Sequence, residues 1–555
     1  MLTRLKGGKV YDPTHNKDGV IADVWIEDGH IVDAPAAGTK PDQEHDVSGM
    51  IVMAGGIDIH SHIGGGKVNL ARALMVEDHD EVHAYAHGAG LRSGSGVYTP
   101  STFTTGYRYA EMGFTAAFEP AVVMANARHA HLEMADTPMI DKGGYLMLGN
   151  DDILLQMLAS GREQSAVNDY VALMVRATGC IGVKIVNPGG ISAFKFNGRN
   201  LGLEQESPFY NLQPRKIVAS LAQAVHDTGL MHPLHIHCNN LGVPGNFETT
   251  METVRAVDGL PIHLTHVQFH SYGTEGDRHF SSAAAQIADM VNKTPNVSVD
   301  VGQILFGQTV TASGDTMTQY RNAGYGDPKK SICMDIECDG GCGLVPFRYK
   351  DKNFVNALQW AIGLELFLLV EDPWRIFLTT DHPNGAPFTT YPHLIRLLMD
   401  KTFRKEKLSG INKHAASHSI LGSLDREYSL YEIAILTRSG PARILGLSDR
   451  GHLGTGAAAD VAVYVPNDDA EKMFEKPKLV FKDGQLVVQD GRVVKVVWGG
   501  VHAALLDHDK AIEREVADWF ATWRGTRFSN FVMSKDELES DGRSRLIGHK
   551  LGRRA

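Results

Sequence analysis

The chain has 555 residues, more than one ordinary core of about 100–200 residues accommodates, so at least two folding units are expected. With 65 acidic against 54 basic residues the net charge is −11, spread along the chain, which argues against a basic nucleic-acid footprint. An apolar fraction of 43% excludes wholesale disorder, and five Cys in so long a chain exclude a disulfide scaffold and suit a reducing compartment.

The start, MLTRLKGGKVYDP, has neither a long apolar run nor a small-residue cleavage site, so no secretory signal is expected. Residues 3–53 read as short strands broken at Gly, Asp and Pro, and WIEDGHIV places Asp28-Gly29 between two apolar runs, a hairpin signal. The middle then alternates candidate strands with helical segments. The strands are GFTAAFEP (113–120), CIGVKIVNPGG (180–190), MHPLHIHCN (231–239), PIHLTHVQ (261–268), NVSVDVGQ (296–303) and RIFLTTDHPNG (375–385), with helical patterns such as RKIVASLAQAVHDTG (215–229) between them. Strand then helix, repeated, predicts an α/β fold, a parallel sheet or a (β/α)8 barrel, with polar chemistry at the C-terminal strand ends. The most apolar stretch, Phe354 to Val370, carries Asn356, Gln359 and Glu365 and falls short of a bilayer span; it reads as a buried or subunit-facing helix. With no span and no signal, a soluble cytoplasmic protein is expected.

Strand character returns in ADVAVYVP (459–466) and LVFKDGQLVVQDGRVVKVVWGG (479–500), where Asp483-Gly484 and Asp490-Gly491 repeat the turn chemistry. Two β-rich ends around a different middle predict a small β-sandwich built from residues 1–52 and 431–500, a barrel with insertions over 53–430, and a C-terminal extension over 501–555. That extension reads as mixed helical, ends basic in GHKLGRRA, and suits a solvated or subunit-docking tail.

The chain holds 26 His, so the question is whether they are organised. His60 and His62 stand two apart in GGIDIHSH, where a strand would point both imidazoles the same way. A lone His-x-His is weak evidence, but this one follows an apolar run and precedes a Gly-rich loop, Gly64 to Gly66. Lys184 lies inside the apolar strand CIGVKIV, where an ammonium is costly unless paired or neutralised. Either it snorkels to the strand edge, or burial keeps it neutral and reactive; a neutral amine can add carbon dioxide, and the resulting carbamate can bridge two metal ions. His235 and His237 repeat the same-face spacing in PLHIHCNN, while His263 and His266 of PIHLTHVQFH would point to opposite faces. One of each pair can be a ligand and the other packed behind it; His232, His263 and His270 read as structural or supporting. Asp381, just past an apolar strand, can ligate a metal and move protons, or can cap an Asx turn before Pro383. Asn239, Asn240, His382 and Asn384 lie beside these positions and are candidates for orienting substrate or for holding loops. Cys333, Cys338 and Cys342 lack an iron–sulfur spacing and no dinucleotide fingerprint is present, so no redox centre is expected.

In chain order the positions run His-x-His, Lys, His, His, Asp. This order resembles the amidohydrolase superfamily, in particular its members with two metals bridged by a carboxylated lysine. The resemblance extends from IVMAGGIDIHSH through the closing phrase LTRSGPARILGLSDRGHLGTGAAADVAVY, about residues 1–500. Within the superfamily, GVKIVNPGG, HIHCNNLG, HLTHVQFHSYG and TTDHPNGAPF are similar to the A subunits of formylmethanofuran dehydrogenase and of the methylotroph formyltransferase/hydrolase complex. The resemblance implies one zinc held by His60, His62, Lys184 and Asp381, and a second held by Lys184, His237 and His266, with Lys184 carboxylated and bridging. His237 is taken over His235 because it fills the strand-end position of the superfamily pattern; Asn239 stands where many relatives carry an acidic residue.

The implied reaction is hydrolysis of a formamide on a methanofuran-type one-carbon carrier to formate and free amine, with Asp381 moving the proton. The implied partners are the B, C and D subunits, D being the formyltransferase and C glutamate-synthase-like. Three alternatives remain: the same site run towards condensation in a molybdenum or tungsten dehydrogenase, a stand-alone cyclic amidase of hydantoinase or dihydroorotase type, and a non-catalytic scaffold.

Overall fold

The computed structural model describes residues 1–65, 68, 71–72, 74–75, 102–190, 201–207, 210–276, 278–311, 345–540 and 542–554; Gly66, Cys333, Cys338 and Cys342 lie outside these residues. Eight short parallel strands form the central layer: β1 (Gly56–Asp58), β2 (Phe114–Val122), β3 (Asp141–Leu148), β4 (Gly182–Val186), β5 (Leu234–His237), β6 (Ile262–Leu264), β7 (Val297–Asp300) and β8 (Ile376–Phe377). Each pairs with the next in sequence order, all parallel. A parallel bridge between Ser61 and His382, with His62 N donating to His382 O at 2.9 Å, joins the end of β8 back to β1. This is the (β/α)8 barrel that the strand–helix alternation predicts. Its strands are buried throughout, with burial on both faces replacing the in–out alternation of an exposed sheet.

Helices between the strands bury one face against them. Helix Pro214–Asp227 starts with Pro at its first turn and buries Ile217, Val218, Leu221, Ala222 and Val225, the spacing of one helical stripe. Helix Phe354–Leu369 is capped by the Asn353 side chain, which accepts from Asn356 N, and it is buried almost all round. Its one carboxylate, Glu365, is matched by Ser282, by Ser419 and by the amides of Ile420 and Leu421. No helix among the described residues is long and apolar enough to cross a membrane.

The two chain ends build a second sheet of nine strands among the described residues, drawn from Leu2–Ala54 and Val461–Val493. Strand Ile51–Ala54 lies between the N-terminal strand Leu2–Asp12 and the returning strand Val461–Tyr464, antiparallel to the latter. At the Asp-Gly hairpins both residues have positive φ, 49° and 84° at Asp28-Gly29 and 47° and 73° at Asp483-Gly484, as a two-residue primed turn requires. Arg438, buried between the sheets, donates from Nε to Ala54 O at 3.0 Å and from its other arm to the Tyr464 hydroxyl at 2.8 Å.

Part of the C-terminal extension is strand. Val501–Leu505 runs parallel to β3, with Val501 opposite Lys142, and carries Leu546–Lys550 on its far side. Helix Lys510–Trp519 and shorter turns connect them.

Candidate metal centre

The barrel register fixes which side chains meet. Pairing sets Lys184, His235, His263 and Ser298 side by side across β4, β5, β6 and β7, in one inward-facing layer. Two residues further along their strands His237 and Asp300 point the same way, one layer nearer the C-terminal rim. His60 and His62 follow β1, with His60 N bonded to Asp58 Oδ1 at 3.0 Å. His266 and Asp381 follow β6 and β8 in the left-handed backbone region, at φ 33° and 52°. Such conformations cost about 1–3 kcal/mol each and persist only where the surroundings fix them. Here Asp300 Oδ1 accepts from His266 N at 2.9 Å, and Asn384 N donates to Asp381 O at 2.6 Å. Gly302 is required opposite, because a Cβ there would stand 2.3 Å from the Cβ of His266.

Three groups of ligand-type side chains result, all buried, the third being His60, His235 and Asp300 behind the first. In the first, His60 Nε2 and His62 Nε2 lie 3.0 and 3.4 Å from Asp381 Oδ1. In the second, His237, His266 and His270 bring one nitrogen each to within 4.8 Å of the others, with His266 Nε2 3.1 Å from His237 Nδ1. Lys184 stands between them, fully buried, and its charge acts on His60, His237 and His266.

The hydrogen bonds behind the first group fix which nitrogens face the centre. His62 Nδ1 meets Glu119 Oε1 at 3.0 Å, and His60 Nδ1 meets Asp300 Oδ2 at 3.3 Å, His235 Nε2 at 3.0 Å and the Thr265 hydroxyl. An ionised carboxylate only accepts, so both Nδ1 atoms carry a proton, and both Nε2 atoms are left facing Asp381. Imidazole nitrogens converging on one carboxylate call for a proton or a cation between them. This carboxylate–histidine arrangement is the one that orients imidazole ligands at metal sites. His235 is engaged on both nitrogens, Nε2 by His60 and Nδ1 by His232 Nε2, each at 3.0 Å, and His232 Nδ1 in turn lies 3.3 Å from Ile444 O.

The electrostatics of the first two groups differ. Burial opposes charge on His60 and His62, but Asp300 and Asp381 outweigh it at His60, and Glu119 and Asp381 raise His62 to about 10. Asp381 itself, despite burial, is held well below the usual carboxylate range by His60, His62 and His266. In the second group burial dominates and lowers His266 to about 4, with His237 and His270 lowered as well. The first group therefore draws positive charge inwards, and the second presents neutral imidazoles, the ligating form.

Residues 43–494 match the Amidohydrolase family. The chain belongs to it. This amidohydrolase is 45% identical over 543 residues to the A subunit of the formyltransferase/hydrolase complex Fhc of Methylorubrum extorquens, covering 96% of each chain. It is 42% identical over 560 residues to protein FwdA of Methanocaldococcus jannaschii, covering 97% of each. Among solved structures it is similar to the formyltransferase/hydrolase complex (FhcABCD) of Methylorubrum extorquens in complex with methylofuran, with a TM-score of 0.90, 43% identity and coverage of 99% of this chain and 100% of that one. Metal dependence is typical of amidohydrolases, and the His/Asp groups of this chain can bind metal.

Around the centre of this amidohydrolase, the four candidate substrate residues have definite contacts. Asn239 Nδ2 donates to Pro188 O at 3.1 Å, and its buried Oδ1 has no hydrogen-bond partner among the described residues. Asn240 accepts from Leu201 N at 3.1 Å and donates to Thr249 Oγ1 at 3.3 Å, so it ties two loops together. His382 Nδ1 accepts from Phe388 N at 3.2 Å and its ring lies against Phe388. Asn384 Nδ2 donates to Asp381 Oδ1 at 3.2 Å, steadying that carboxylate. Three residues of the site escaped the sequence reading. Glu119 closes the apolar run GFTAAFE and also accepts from Ile63 N and Gly64 N at 2.7 and 2.9 Å. Asp300 ends NVSVD and holds His60, His263, His266 N and Thr379 together. Both carry the signal that marked Asp381, a carboxylate at the end of an apolar strand. The third, His270, for which the sequence suggests a structural or supporting role, stands in the second group.

Proposed function

We propose that this chain hydrolyses the formamide of an N-formylated furfurylamine carrier, of the methanofuran or methylofuran type, to formate and the free amine, as the A subunit of a formyltransferase/hydrolase complex. The observation that carries the reading is the convergence of His60, His62, Lys184, His237, His266 and Asp381, all buried, at the C-terminal ends of the barrel strands. Near full-length similarity to the A subunit of Fhc supports the substrate and the partners, the B, C and D subunits. Buried strand-end carboxylates and imidazoles fit a pair of divalent cations, and we assign zinc to both. His60, His62 and Asp381 would hold one, His237 and His266 the other, with carboxylated Lys184 between them. Such a pair supplies acidification of water and polarisation of the formyl carbonyl.

As an ammonium, Lys184 would repel a cation. Addition of carbon dioxide to its neutral amine, with loss of a proton, gives a carbamate whose negative charge suits a bridge. Asp381, held deprotonated, accepts a proton from the attacking water and returns it to the amine nitrogen as the C–N bond breaks. One water is consumed, and formate and amine leave. Asn384 keeps the Asp381 carboxylate oriented for both transfers. The His60 and His62 lone pairs stay aimed at the centre because Asp300 and Glu119 hold the opposite ring nitrogens.

The 42% identity to FwdA supports a second reading, the same site condensing formate with the amine in a molybdenum or tungsten formylmethanofuran dehydrogenase. Purification from the native source separates them. Two zinc per chain, formate release from the formylated carrier and a co-purifying formyltransferase support the hydrolase complex; molybdopterin and iron–sulfur subunits support the dehydrogenase. A native preparation without bound metal overturns both.

A further inference from the structure

His270 is the one buried histidine among the described residues whose two ring nitrogens both lack a hydrogen-bond partner. It is wholly shielded from solvent. Two neighbouring histidines of the barrel behave differently. His263 is matched by Ser298 Oγ at 2.9 Å and Asp300 Oδ2 at 3.0 Å, and His232 by Ile444 O and His235. A buried polar nitrogen left unmatched is unfavourable, and native interiors leave few of them. A buried ring nitrogen without a hydrogen bond also occurs at the proposed ligand His266, at Nδ1.

Loose packing does not explain the position of the ring. His270 ends the single 3-10 turn Val267–His270 that begins directly after His266. Thr250 Oγ1 donates to His270 O at 2.9 Å, Asn246 Nδ2 donates to Phe269 O at 2.8 Å, and Asn246 Oδ1 accepts from Tyr272 N at 3.0 Å. The backbone on both sides is thus fixed by buried hydrogen bonds. The ring stacks on His266, with centroids 5.3 Å apart and planes at 25°, and meets His237 edge to face at 5.1 Å and 70°.

We infer that His270 is a third histidine of the second metal position, beside His237 and His266. The inference rests on the metal centre proposed above and deepens it. Three imidazoles form a donor set suited to a borderline divalent cation such as Zn2+, and they bind it without adding negative charge. The two positions would then be unlike: Asp381 would neutralise part of the charge at the first, and the second would depend on a carboxylated Lys184 for negative charge and so would be the more electrophilic.

The test uses the full-length chain and its His270→Ala and His270→Asn variants, stripped with a chelator and titrated with Zn2+ or Co2+. The readouts are metal bound per chain, the affinity of each equivalent and the visible absorption of bound Co2+. A His60→Ala/His62→Ala double variant removes the first position and isolates the second. Both His270 variants are expected to keep one equivalent unchanged, to weaken the other by at least about 100-fold, and to shift the Co2+ absorption of that equivalent. The asparagine variant retains a polar side chain, so a result shared by both variants is not a collapse of the alanine protein. Two equivalents at wild-type affinity with unchanged Co2+ spectra overturn the role of His270 and leave the proposed function standing. A wild-type chain that takes up no Zn2+ or Co2+ overturns both.

Discussion

Two clusters of buried charge stand at opposite ends of the barrel strands, and they are built on different rules. At the N-terminal end Asp141, the first residue of β3, meets Arg450 Nε at 2.6 Å and Lys482 Nζ at 3.0 Å, and Lys482 also reaches both oxygens of Asp460 at 3.0 Å. Two buried carboxylates and the more exposed Asp449 and Asp483 face two cations, drawn from the barrel, the β-sheet and the segment between them, and Gly500 N adds a bond to Asp141 at 2.6 Å. At the C-terminal end the carboxylates Asp381, Asp300 and Glu119 share space with a set of histidines and one lysine; His60 and His62 converge on Asp381, and His237, His266 and His270 face one another. In the first cluster fixed cations stand opposite the carboxylates; in the second, imidazoles converge on one another and on Asp381. Burial and charge alone therefore do not mark a site; converging ligand-type side chains do.

The contrast breaks most sharply at Asp381. Asp381→Asn leaves the other ligand residues in place but removes the proton acceptor, and turnover is expected to fall by roughly 10²–10⁴-fold. Formate release per bound metal measures it; a variant that loses its metal in proportion to its activity would give Asp381 a ligand role only.

At the other end the largest expected effect is on stability. Lys482→Met leaves Asp141 and Asp460 buried with one cation fewer, and breaking such a pair costs about 3–5 kcal/mol. Denaturant unfolding reads the loss, while metal content and activity of the folded fraction should stay at wild-type level. A catalytic defect in folded Lys482→Met protein would mean that the two clusters are coupled through the strands.

The same cluster sets a smaller, pH-dependent effect. Burial disfavours the charge on Asp141, but Arg450 and Lys482 outweigh it and hold this carboxyl well below its ordinary range. A carboxyl depressed on folding stabilises above the pH where the unfolded group titrates, about 4, and that contribution disappears as pH falls below it. Asp460 is pushed the other way by burial and narrows the effect. Unfolding of metal-free protein between pH 7 and pH 3 should therefore show an acid limb that flattens in Lys482→Met; an identical limb in both would place the acid sensitivity elsewhere.

The barrel is legible because its strands are apolar runs punctuated by turn residues, and the centre because a charged residue inside such a run is conspicuous, as with Lys184 in GVKIV and Asp381 after RIFLTT. Glu119 and Asp300 obey the same rule. His270 does not, since it stands on a turn beyond the strand end, and only the chain's bend at His266 carries it back to His237. The strand Val501–Leu505 is equally hard to read: VHAAL has one β-branched residue, and its partner, β3, lies some 360 positions away in the chain.

The smallest expected effect tests how that extension is attached. Arg128 Nε meets Glu537 Oε1 at 2.5 Å, and its other nitrogens donate to Asn530 O and Val532 O at 2.6 and 3.3 Å. Both side chains are a third exposed or more, and ion pairs of that kind contribute at most about 1 kcal/mol and are screened by salt. The Arg128 hydrogen bond, with Ser534, lowers Glu537 to about 2, so its stabilisation is present above the ordinary carboxylate range and fades as pH drops towards that value. Arg128→Ala should then shift the denaturant midpoint slightly at low salt and hardly at all at high salt. A loss of several kcal/mol, insensitive to salt, would mean that residues 530–537 support the barrel core through helix Ala127–Ala135, so that this surface contact belongs with the Asp141 cluster as a structural joint.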